Sequence, residues 1–198
     1  MRVSVAECEG KDDSMIVQQS LADMEYFTCL YVRYEQKLLR YILRISAFSH
    51  AEAEEVLQEV FIKAWENLNE FDQSLKFSSW IYRITHNTTI SEWKKKKSHG
   101  KDREEHMDEE LFDNLPSALN LEAEADRHLQ AEKARRVLRL LPEKYGGILI
   151  LKFLEDKDYN EISDILKMPA GTVATRISRA KKAFVEAARR NSISFTLS

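Results

Sequence analysis

The stretch that decides the fold is MPAGTVATRISRAKKAF, residues Met168–Phe184, which has the periodicity of an amphipathic helix. Its apolar residues recur at positions i, i+4, i+7 and i+11 and form one stripe: Val173, Ile177, Ala180 and Phe184. The remaining positions are polar or basic, and six of them are candidate contacts: Thr172, Thr175, Arg176, Ser178, Arg179 and Lys182. Taken alone, the stretch fits either a solvated helix of a bundle or a helix whose polar face binds a partner.

The residues before this stretch supply a second, shorter helix. YNEISDIL offers Ile162, Ile165 and Leu166 to pack against the apolar stripe. KMPA predicts a tight turn, with Pro169 where the start of a helix tolerates proline. Two helices joined by a short turn, with Thr, Ser and Arg early in the second, are the pattern of a helix-turn-helix. Such a second helix enters the major groove, where polar side chains meet base edges and basic ones meet phosphates.

The composition indicates an all-α protein. The 198 residues are 43% hydrophobic and 32% charged, with five Gly, three Pro and no alternating Val/Ile/Thr run between turn signals. No apolar run approaches the roughly 18 residues that span a membrane, and the acidic N-terminal stretch is unlike a signal peptide. We therefore expect a cytoplasmic protein that does not insert into membranes.

Charge is segregated along the chain, whose net charge is −3. Residues 1–25 sum to −4, residues 26–99 to +2, residues 100–128 to −7 and residues 129–198 to +6. A single uniform domain rarely divides its charge in this way, so we infer two modules and a linker.

The predicted organisation is two small helical domains joined by an acidic flexible linker. The sequence leaves open whether the residues before the first domain are ordered. The five segments are an N-terminal extension, the first domain, the linker, the second domain and a tail: 1–20, 21–97, 98–128, 129–190 and 191–198.

Helix boundaries can be placed at several points. SHAE at Ser49–Glu52 is a capping box that opens one helix of the first domain. Another begins at Ser78 or Ser79 and runs without a breaker into four consecutive lysines. In the second domain, a helix is expected from Ala131 to Leu141, before Pro142.

The next predicted helix, EKYGGILILKFLE, contains Gly146 and Gly147. Each glycine costs about 1 kcal/mol relative to alanine in a helix interior. Either the helix begins after the two glycines, or a neighbouring backbone approaches closely there.

No residue pattern indicates catalysis, a metal or another cofactor. Cys8 and Cys29 are too far apart for a CxxC site, so we expect free thiols. The histidines are not spaced with carboxylates or Cys as metal ligands, and no Gly-rich phosphate loop or GxSxG motif occurs. We expect no enzyme activity and no cofactor.

Two blocks of the sequence resemble the extracytoplasmic-function sigma factors, a branch of the bacterial RNA polymerase sigma-70 family. LPEKYGGILILKFLEDKDYNEISDILKMPAGTVATRISRAKKAF, residues 141–184, is similar to region 4 of that family. AEAEEVLQEVFIKAWENLNEFDQSLKFSSWIYRITHNTTISEWKKKK, residues 51–97, is similar to region 2. The blocks stand in the family's order, and the glycines at 146 and 147 depart from its larger residues.

The resemblance implies that the first domain binds core RNA polymerase, at the coiled coil of the largest subunit. The residues expected to do so are Glu55, Gln58, Glu59 and Lys63. The family commonly has Asp where Glu55 stands. Phe61 and Trp65, on the same helix, are expected in the core.

The segment from Phe71 to Lys97 resembles the part of region 2 that melts and reads the minus-ten promoter element. Melting requires a pocket for an unpaired base and cations for the phosphates. The candidate residues are Lys76, Trp80, Arg83, His86, Asn87, Lys94, Lys95 and Lys96, with Lys97 completing the basic run. Asn87 matches the family's motif, whereas Ser91 stands where Asp is frequent. Trp80 shares a face with Ile84, which favours a core position over a stacking platform.

The resemblance further implies that the second domain contacts the duplex minus-thirty-five element through the six polar residues of the opening stretch. It implies the flap of the polymerase's second-largest subunit and an anti-sigma factor as further partners. The expected function is promoter-specific transcription initiation. The alternatives are a helix-turn-helix regulator that binds DNA without polymerase and a helical adaptor with no role on DNA.

Overall fold

The structure, a computed structural model, describes residues 5–98 and 121–195. These ranges are helical and contain no β-strand, which confirms the all-α prediction. The eight α-helices are α1 Asp13–Ala22, α2 Phe27–Ile45, α3 His50–Glu66, α4 Phe77–Ser98, α5 Leu121–Arg139, α6 Glu143–Phe153, α7 Tyr159–Leu166 and α8 Ala170–Arg190. Short 3₁₀ helices occur at Val5–Cys8, Met24–Tyr26 and Leu68–Glu70.

The described chain forms two compact units. One contains residues 5–98 together with Asn160–Lys167, and the other contains residues 121–159 and 168–195. The domain boundaries expected from charge and resemblance stay predictions.

In the first unit, α2, α3 and α4 pack against one another around an apolar core. On α2, Leu30, Leu38 and Ile42 recur at helical spacing and are fully buried. The predicted capping box of α3 is confirmed, because Ser49 Oγ accepts from the Glu52 N–H while the Ser49 N–H donates to the Glu52 carboxylate. This cap fixes where α3 begins and therefore which of its faces meets α2 and α4.

Residues 5–22, which we term the N-terminal arm, are ordered against this core. Asp12 caps α1 by accepting from the backbone N–H of Met15 at 2.8 Å. Ile16 and Val17 of α1 are fully buried, and α1 packs on α2. The sequence left the order of this segment open because α1 shows little segregation of apolar from polar faces.

The expectation of free thiols was wrong. Cys8, at the end of the first 3₁₀ helix, and Cys29, in α2, form a disulfide with their Cα atoms 5.8 Å apart. The two residues are separated by 21 positions in the chain, and the arm brings them together by folding back along α2. The spacing of the two cysteines along the sequence does not indicate that the arm folds back along α2.

In the second unit, α8 packs on α6 and α5 through its apolar stripe. Val173, Ile177 and Ala180 are buried, as predicted from their spacing, and Phe184 is half-buried. This stripe holds the opposite face of α8 towards solvent.

Gly146 and Gly147 both lie inside α6, so the helix does not begin after them. A Cβ placed on Gly146 would lie 3.4 Å from the carbonyl oxygen of Leu138 in α5. A neighbouring backbone therefore does approach this position, at a distance that is still an ordinary contact.

α5 begins at Leu121, inside the segment 98–128 that we expected to be a linker, and therefore starts before the helix expected at Ala131. The sequence LEAEADR is rich in Leu, Ala and Glu, which are strong helix formers, and its acids favour a helix N-terminus. The rest of the predicted linker, residues 99–120, lies outside the described residues.

No helix within residues 5–98 and 121–195 combines the length and apolar character that crossing a membrane requires.

Candidate nucleic-acid and polymerase interface

The exposed face of α8 carries the residues expected to contact duplex DNA. Five of them follow one stripe at i, i+3, i+4, i+7 and i+10: Thr172, Thr175, Arg176, Arg179 and Lys182. Arg176 is half-buried and the others are exposed, as is Ser178 at the edge of the stripe. We call these five residues the α8 stripe.

The α8 stripe presents uncompensated positive charge. Among the described residues, Arg176, Arg179 and Lys182 form no salt bridge, whereas Arg189 and Arg190 at the end of α8 pair with Glu186 at 3.2 and 2.8 Å. Thr175 donates its hydroxyl to the Gly171 carbonyl and keeps its oxygen as an acceptor. The first turns of α8 therefore offer donors and cations, whereas the two arginines of the last turn share one carboxylate.

A second candidate surface is the loop 71–77, which leads into α4. Phe71, Phe77 and Trp80 pack ring against ring, with centroids 5.1 to 5.6 Å apart. Trp80 is 8% exposed, so it supports the loop from below and does not offer a ring for stacking. This placement agrees with the expectation that its face belongs to the core.

The middle of the loop is exposed and polar. The backbone N–H of Ser74 donates to Asp72 at 2.9 Å, and this hydrogen bond holds the pKa of the Asp72 carboxyl below its usual value. Gln73 is exposed and accepts a hydrogen bond from Gln18 of α1 at 3.0 Å. Lys76 Nζ lies 3.7 Å from Glu161 Oε1 of α7, within the same unit. A nucleic-acid phosphate that bound Lys76 would therefore take the place of the Glu161 carboxylate in this ion pair.

Beyond the loop, one face of α4 continues as a polar stripe. Arg83, Asn87 and Ser91 follow each other at i, i+4 and i+8 and are exposed or half-buried, and Lys94 extends the same line. Trp80 begins this line but lies beneath Phe71 of the loop. We call Arg83, Asn87, Ser91 and Lys94 the α4 stripe.

His86 lies on a different side of α4 and is half-buried. Its Nδ1 is 2.9 Å from the hydroxyl of Tyr41, a fully buried residue of α2. This contact ties the ring to the core, so His86 is placed less directly for nucleic acid than Asn87.

The four lysines at the end of α4 do not act alike. Lys96 forms an ion pair of 2.7 Å with Glu52 of α3 and lies over the Phe48 ring, whereas Lys95 pairs with Glu92 at 2.6 Å. Lys97 lies over Trp93 of its own helix. Lys96 therefore joins α4 to the capping box of α3, a role that a run of identical residues could not reveal.

The third candidate surface is an exposed stripe of α3. Glu55 and Gln58 are exposed and Glu59 is half-buried, and Ile62 completes the stripe at i, i+3, i+4 and i+7. Ile62 is 58% exposed, and sequence reasoning missed it because an isoleucine on a helix is first assigned to the core. Its exposure could have been inferred from its position, because Ile62 lies four residues after Gln58 and four before Glu66 on the same polar face. We call Glu55, Gln58, Glu59 and Ile62 the α3 stripe.

Lys63 lies beside this stripe and is already engaged. Its Nζ pairs with Glu59 at 2.6 Å and donates to the Thr88 hydroxyl of α4 at 3.4 Å. Next to this stripe, Phe61 and Trp65 pack on Phe27. Phe61 is buried, as expected for a core residue, whereas Trp65 is half-buried.

Among the described residues, no group of His, Cys, Asp and Glu is placed to hold a metal ion. The three stripes consist of hydrogen-bond donors, cations, carboxylates and one apolar side chain. Side chains of these kinds are suited to binding a partner at a surface.

Comparison with known families matches two regions of the chain. Residues 30–99 match Sigma-70 region 2, and residues 131–184 match Sigma-70 region 4. The ECF RNA polymerase sigma factor SigW of Bacillus subtilis is 32% identical over 85% of this chain and 91% of its own length. The ECF RNA polymerase sigma-E factor of Escherichia coli is 29% identical over 87% of this chain and 91% of its own length.

Solved structures share the fold. The structure of CnrH in complex with the cytosolic domain of CnrY has a TM-score of 0.66 and 19% identity, covering 92% of this chain and 99% of that one. The sigma factor RpoE of Bartonella quintana, in complex with the anti-sigma factor NepR, has a TM-score of 0.62 and 19% identity over 82% of this chain and 96% of its own. The chain therefore belongs to the extracytoplasmic-function sigma factors of the sigma-70 family, which act in transcription initiation.

Proposed function

We propose that this sigma factor binds core RNA polymerase through the α3 stripe, recognises the duplex minus-thirty-five element through the α8 stripe, and opens the minus-ten element with the loop 71–77 and the α4 stripe. The observation that carries the proposal is the division of α8 into a buried stripe and an exposed face whose cations form no salt bridge with any residue that the structure describes. Catalysis of RNA synthesis would remain with the polymerase.

The geometry of α8 supports contact with duplex DNA. Its apolar stripe is held by α5 and α6, so the first three turns are free to enter a major groove. Thr172 and Thr175 lie early in the helix, where side chains reach base edges. Arg176 and Arg179 can form bidentate hydrogen bonds with guanine or pair with phosphate, and Lys182 can contact a phosphate.

The loop 71–77 and α4 support contact with a melted strand. The packed aromatic rings beneath the loop support its exposed residues Gln73 and Ser74. A base that has left the duplex needs new hydrogen-bond partners and a new surface to pack against. Arg83 and Asn87 offer a cation and an amide directly beyond the loop. We assign the strand's path from the loop along the α4 stripe.

The α3 stripe combines carboxylates with one exposed isoleucine. Such a surface suits a partner helix that brings basic residues around an apolar patch, since exposed apolar side chains gain most when a partner covers them. The coiled coil of the polymerase's largest subunit is the partner that the family implies. The flap of its second-largest subunit is proposed for the second unit.

An anti-sigma factor is the proposed inhibitor. One solved structure with the same fold is a complex of a sigma factor with an anti-sigma factor. A protein that covered the α3 stripe or the α8 stripe would block initiation by occupying a surface that polymerase or DNA needs.

Replacement of Arg179 by alanine tests the role of the α8 stripe. We expect promoter binding by the holoenzyme to weaken by roughly fivefold to a hundredfold, which is the range for removal of one bidentate base contact. The measurement is a titration of labelled promoter DNA with purified holoenzyme at several salt concentrations.

Arg189→Ala is the matched control, because Arg189 is exposed on the same helix but pairs with Glu186. It should leave promoter binding within about twofold of the parent. Equal effects of the two substitutions would contradict a specific role for the α8 stripe. Tight promoter binding by the protein without polymerase would favour the stand-alone regulator.

A further inference from the structure

We propose that the Cys8–Cys29 disulfide is a redox-dependent tether that sets how firmly the N-terminal arm supports the loop 71–77. The inference rests on the proposed function of that loop in promoter opening, and it adds a form of regulation and a positioning residue, Gln18. Two parts of the molecule connect the disulfide to the loop: α2, through Tyr34, and the arm, through the side chain of Gln18.

The disulfide fastens the start of the arm to α2. Cys8 and Cys29 are 6% and 4% exposed, and their Cα separation of 5.8 Å is ordinary for a disulfide, so no backbone movement is needed to form it. Where cellular thiols keep cysteines reduced, disulfides that form are usually transient and redox-sensing.

Polar contacts of α2 hold the next part of the arm. The Arg33 guanidinium donates to the carbonyl oxygens of Cys8 and Lys11 at 3.2 and 2.9 Å, and pairs with Asp13 at 2.6 Å. The Tyr34 hydroxyl also donates to Asp13. Both side chains of the ion pair are partly exposed, so this anchor is weakened by solvent.

The arm and α2 each contact the loop 71–77. Gln18 of α1 donates to Gln73 at 3.0 Å in the exposed middle of the loop. Tyr34, bound to Asp13 through its hydroxyl, packs its ring on Phe77, where the loop enters α4, with centroids 5.5 Å apart. The docked arm therefore contacts the middle of the loop directly, and it is linked to the end of the loop through the hydrogen bond between Asp13 and Tyr34.

Without the cross-link, the arm has few anchors. Ile16 and Val17 are its fully buried apolar residues, whereas Met15 and Leu21 of the same helix are 48% and 41% exposed. An isolated helix as short as α1 is not stable in water, so an undocked arm would melt. For a separation of 21 residues, chain entropy predicts that the cross-link makes opening of the arm rarer by on the order of a hundredfold.

The redox step is a thiol–disulfide exchange with a low-molecular-weight thiol such as glutathione. Its thiolate attacks one sulfur, forms a mixed disulfide and releases the other cysteine, which takes up a proton. A second thiol then frees the first cysteine and leaves as the low-molecular-weight disulfide, so two electrons and two protons enter the protein. Because both sulfurs are buried, the 3₁₀ helix Val5–Cys8 must open before exchange.

The test compares the full-length protein in its oxidised and reduced forms, prepared with oxidised or reduced glutathione and verified by thiol alkylation and mass. Hydrogen exchange is followed in α1 and in the loop 71–77, and promoter opening with core polymerase is followed by permanganate reactivity of unpaired thymines. Reduction should speed exchange at least tenfold in both segments and lower the fraction of open promoter. Cys8→Ser should behave like the reduced form in either buffer.

Gln18→Ala provides a second variant that keeps the disulfide. It should speed exchange in the loop while α1 stays protected in the oxidised form. Loop exchange or promoter opening that is the same in both redox states, with the disulfide verified, would overturn the inference. If the protein directs no initiation in any state, the proposed function fails, and loop exchange alone then decides whether the tether exists.

Discussion

At the scale of single residues, Glu52 shows how one side chain serves two elements. Its carboxylate accepts from the Ser49 N–H in the capping box of α3 and from Lys96 at the end of α4. Partial burial favours the protonated form, but the hydrogen bonds from Lys96 and Ser49 prevail and hold the pKa of Glu52 below its ordinary 4.5. A carboxyl with a lowered pKa stabilises the fold above its ordinary pKa and stops doing so as the pH falls through the lowered value.

Glu52→Gln should therefore destabilise the first unit in a pH-dependent way. Glutamine can keep the capping box but removes the charge that Lys96 meets, so we expect a loss of about 0.5–1 kcal/mol at neutral pH. Below pH 4.5 the difference between variant and parent should shrink, since the parent's carboxyl becomes protonated. Urea unfolding followed by tryptophan fluorescence measures it. A difference that persisted unchanged in acid would contradict the role given to the ion pair.

Replacement of Gly146 should change stability in the opposite direction to replacement of Glu52. Gly146→Ala should stabilise the second unit by roughly 0.5–1 kcal/mol, because alanine is favoured in a helix and its Cβ would meet Leu138 at an ordinary contact distance. Circular dichroism during urea unfolding measures this. All three tryptophans, Trp65, Trp80 and Trp93, lie in the first unit, so the fluorescence transition should not move.

Gly10→Ala is the same substitution at a position where we expect it to destabilise the protein. Gly10 has a φ of +77°, a left-handed conformation that costs alanine roughly 1–2 kcal/mol. The fluorescence transition of the first unit should therefore move to lower urea. A destabilised Gly146→Ala variant would mean that α5 and α6 leave no room for a methyl group.

At the scale of elements, the sequence was sufficient to predict features that depend on spacing within one helix. It was not sufficient to predict contacts between residues of different elements. The capping box at Ser49 and the buried stripe of α8 follow from spacing within one helix, and both predictions are confirmed. The Cys8–Cys29 disulfide and the ion pair of Lys96 join residues from different elements. Helical periodicity fixes which residues share a face but does not say which faces meet, so the sequence could not supply these pairings.

The candidate surfaces differ in the same way. The outward position of the α8 stripe could be predicted, because its residues face away from the periodic apolar stripe of the same helix. Trp80 was ambiguous because only the fold of the loop 71–77 covers it. Ile62 was missed, since its exposure depends on where α2 and α4 pack around α3.

The α3 stripe makes the sharpest prediction at this scale. Ile62→Asp should weaken binding to core polymerase by about tenfold to a hundredfold, the range expected when one buried isoleucine is removed from an interface. Because Ile62 is 58% exposed, the unfolding free energy should change by no more than about 0.5 kcal/mol. Fluorescence anisotropy of the labelled protein titrated with core polymerase measures the affinity.

Glu54→Gln is the control for that experiment, since Glu54 is an exposed neighbour of the α3 stripe that pairs with His50. It should bind core polymerase as the parent does. A normal affinity for Ile62→Asp would exclude the α3 stripe as the polymerase contact.

At the scale of the whole molecule, the proposed function is divided between two units of the chain. One carries the α3 stripe, the loop 71–77 and the α4 stripe, and the other carries the α8 stripe. The match to region 2, residues 30–99, lies in the first unit. The match to region 4, residues 131–184, covers most of the second unit and also includes Asn160–Lys167, which belong to the first. What separates a sigma factor from a stand-alone regulator is the need for both units and polymerase at the same promoter.

In vitro transcription with purified core polymerase tests that claim most directly. The protein, core polymerase and a library of bacterial promoter fragments are combined, and the 5′ ends of the transcripts are sequenced. We predict defined start sites that require the protein and share two upstream sequence elements, and that disappear in a variant with Arg176 and Arg179 both replaced by alanine. Stable binding of the protein alone to fragments, with no start site that depends on it, would contradict the account.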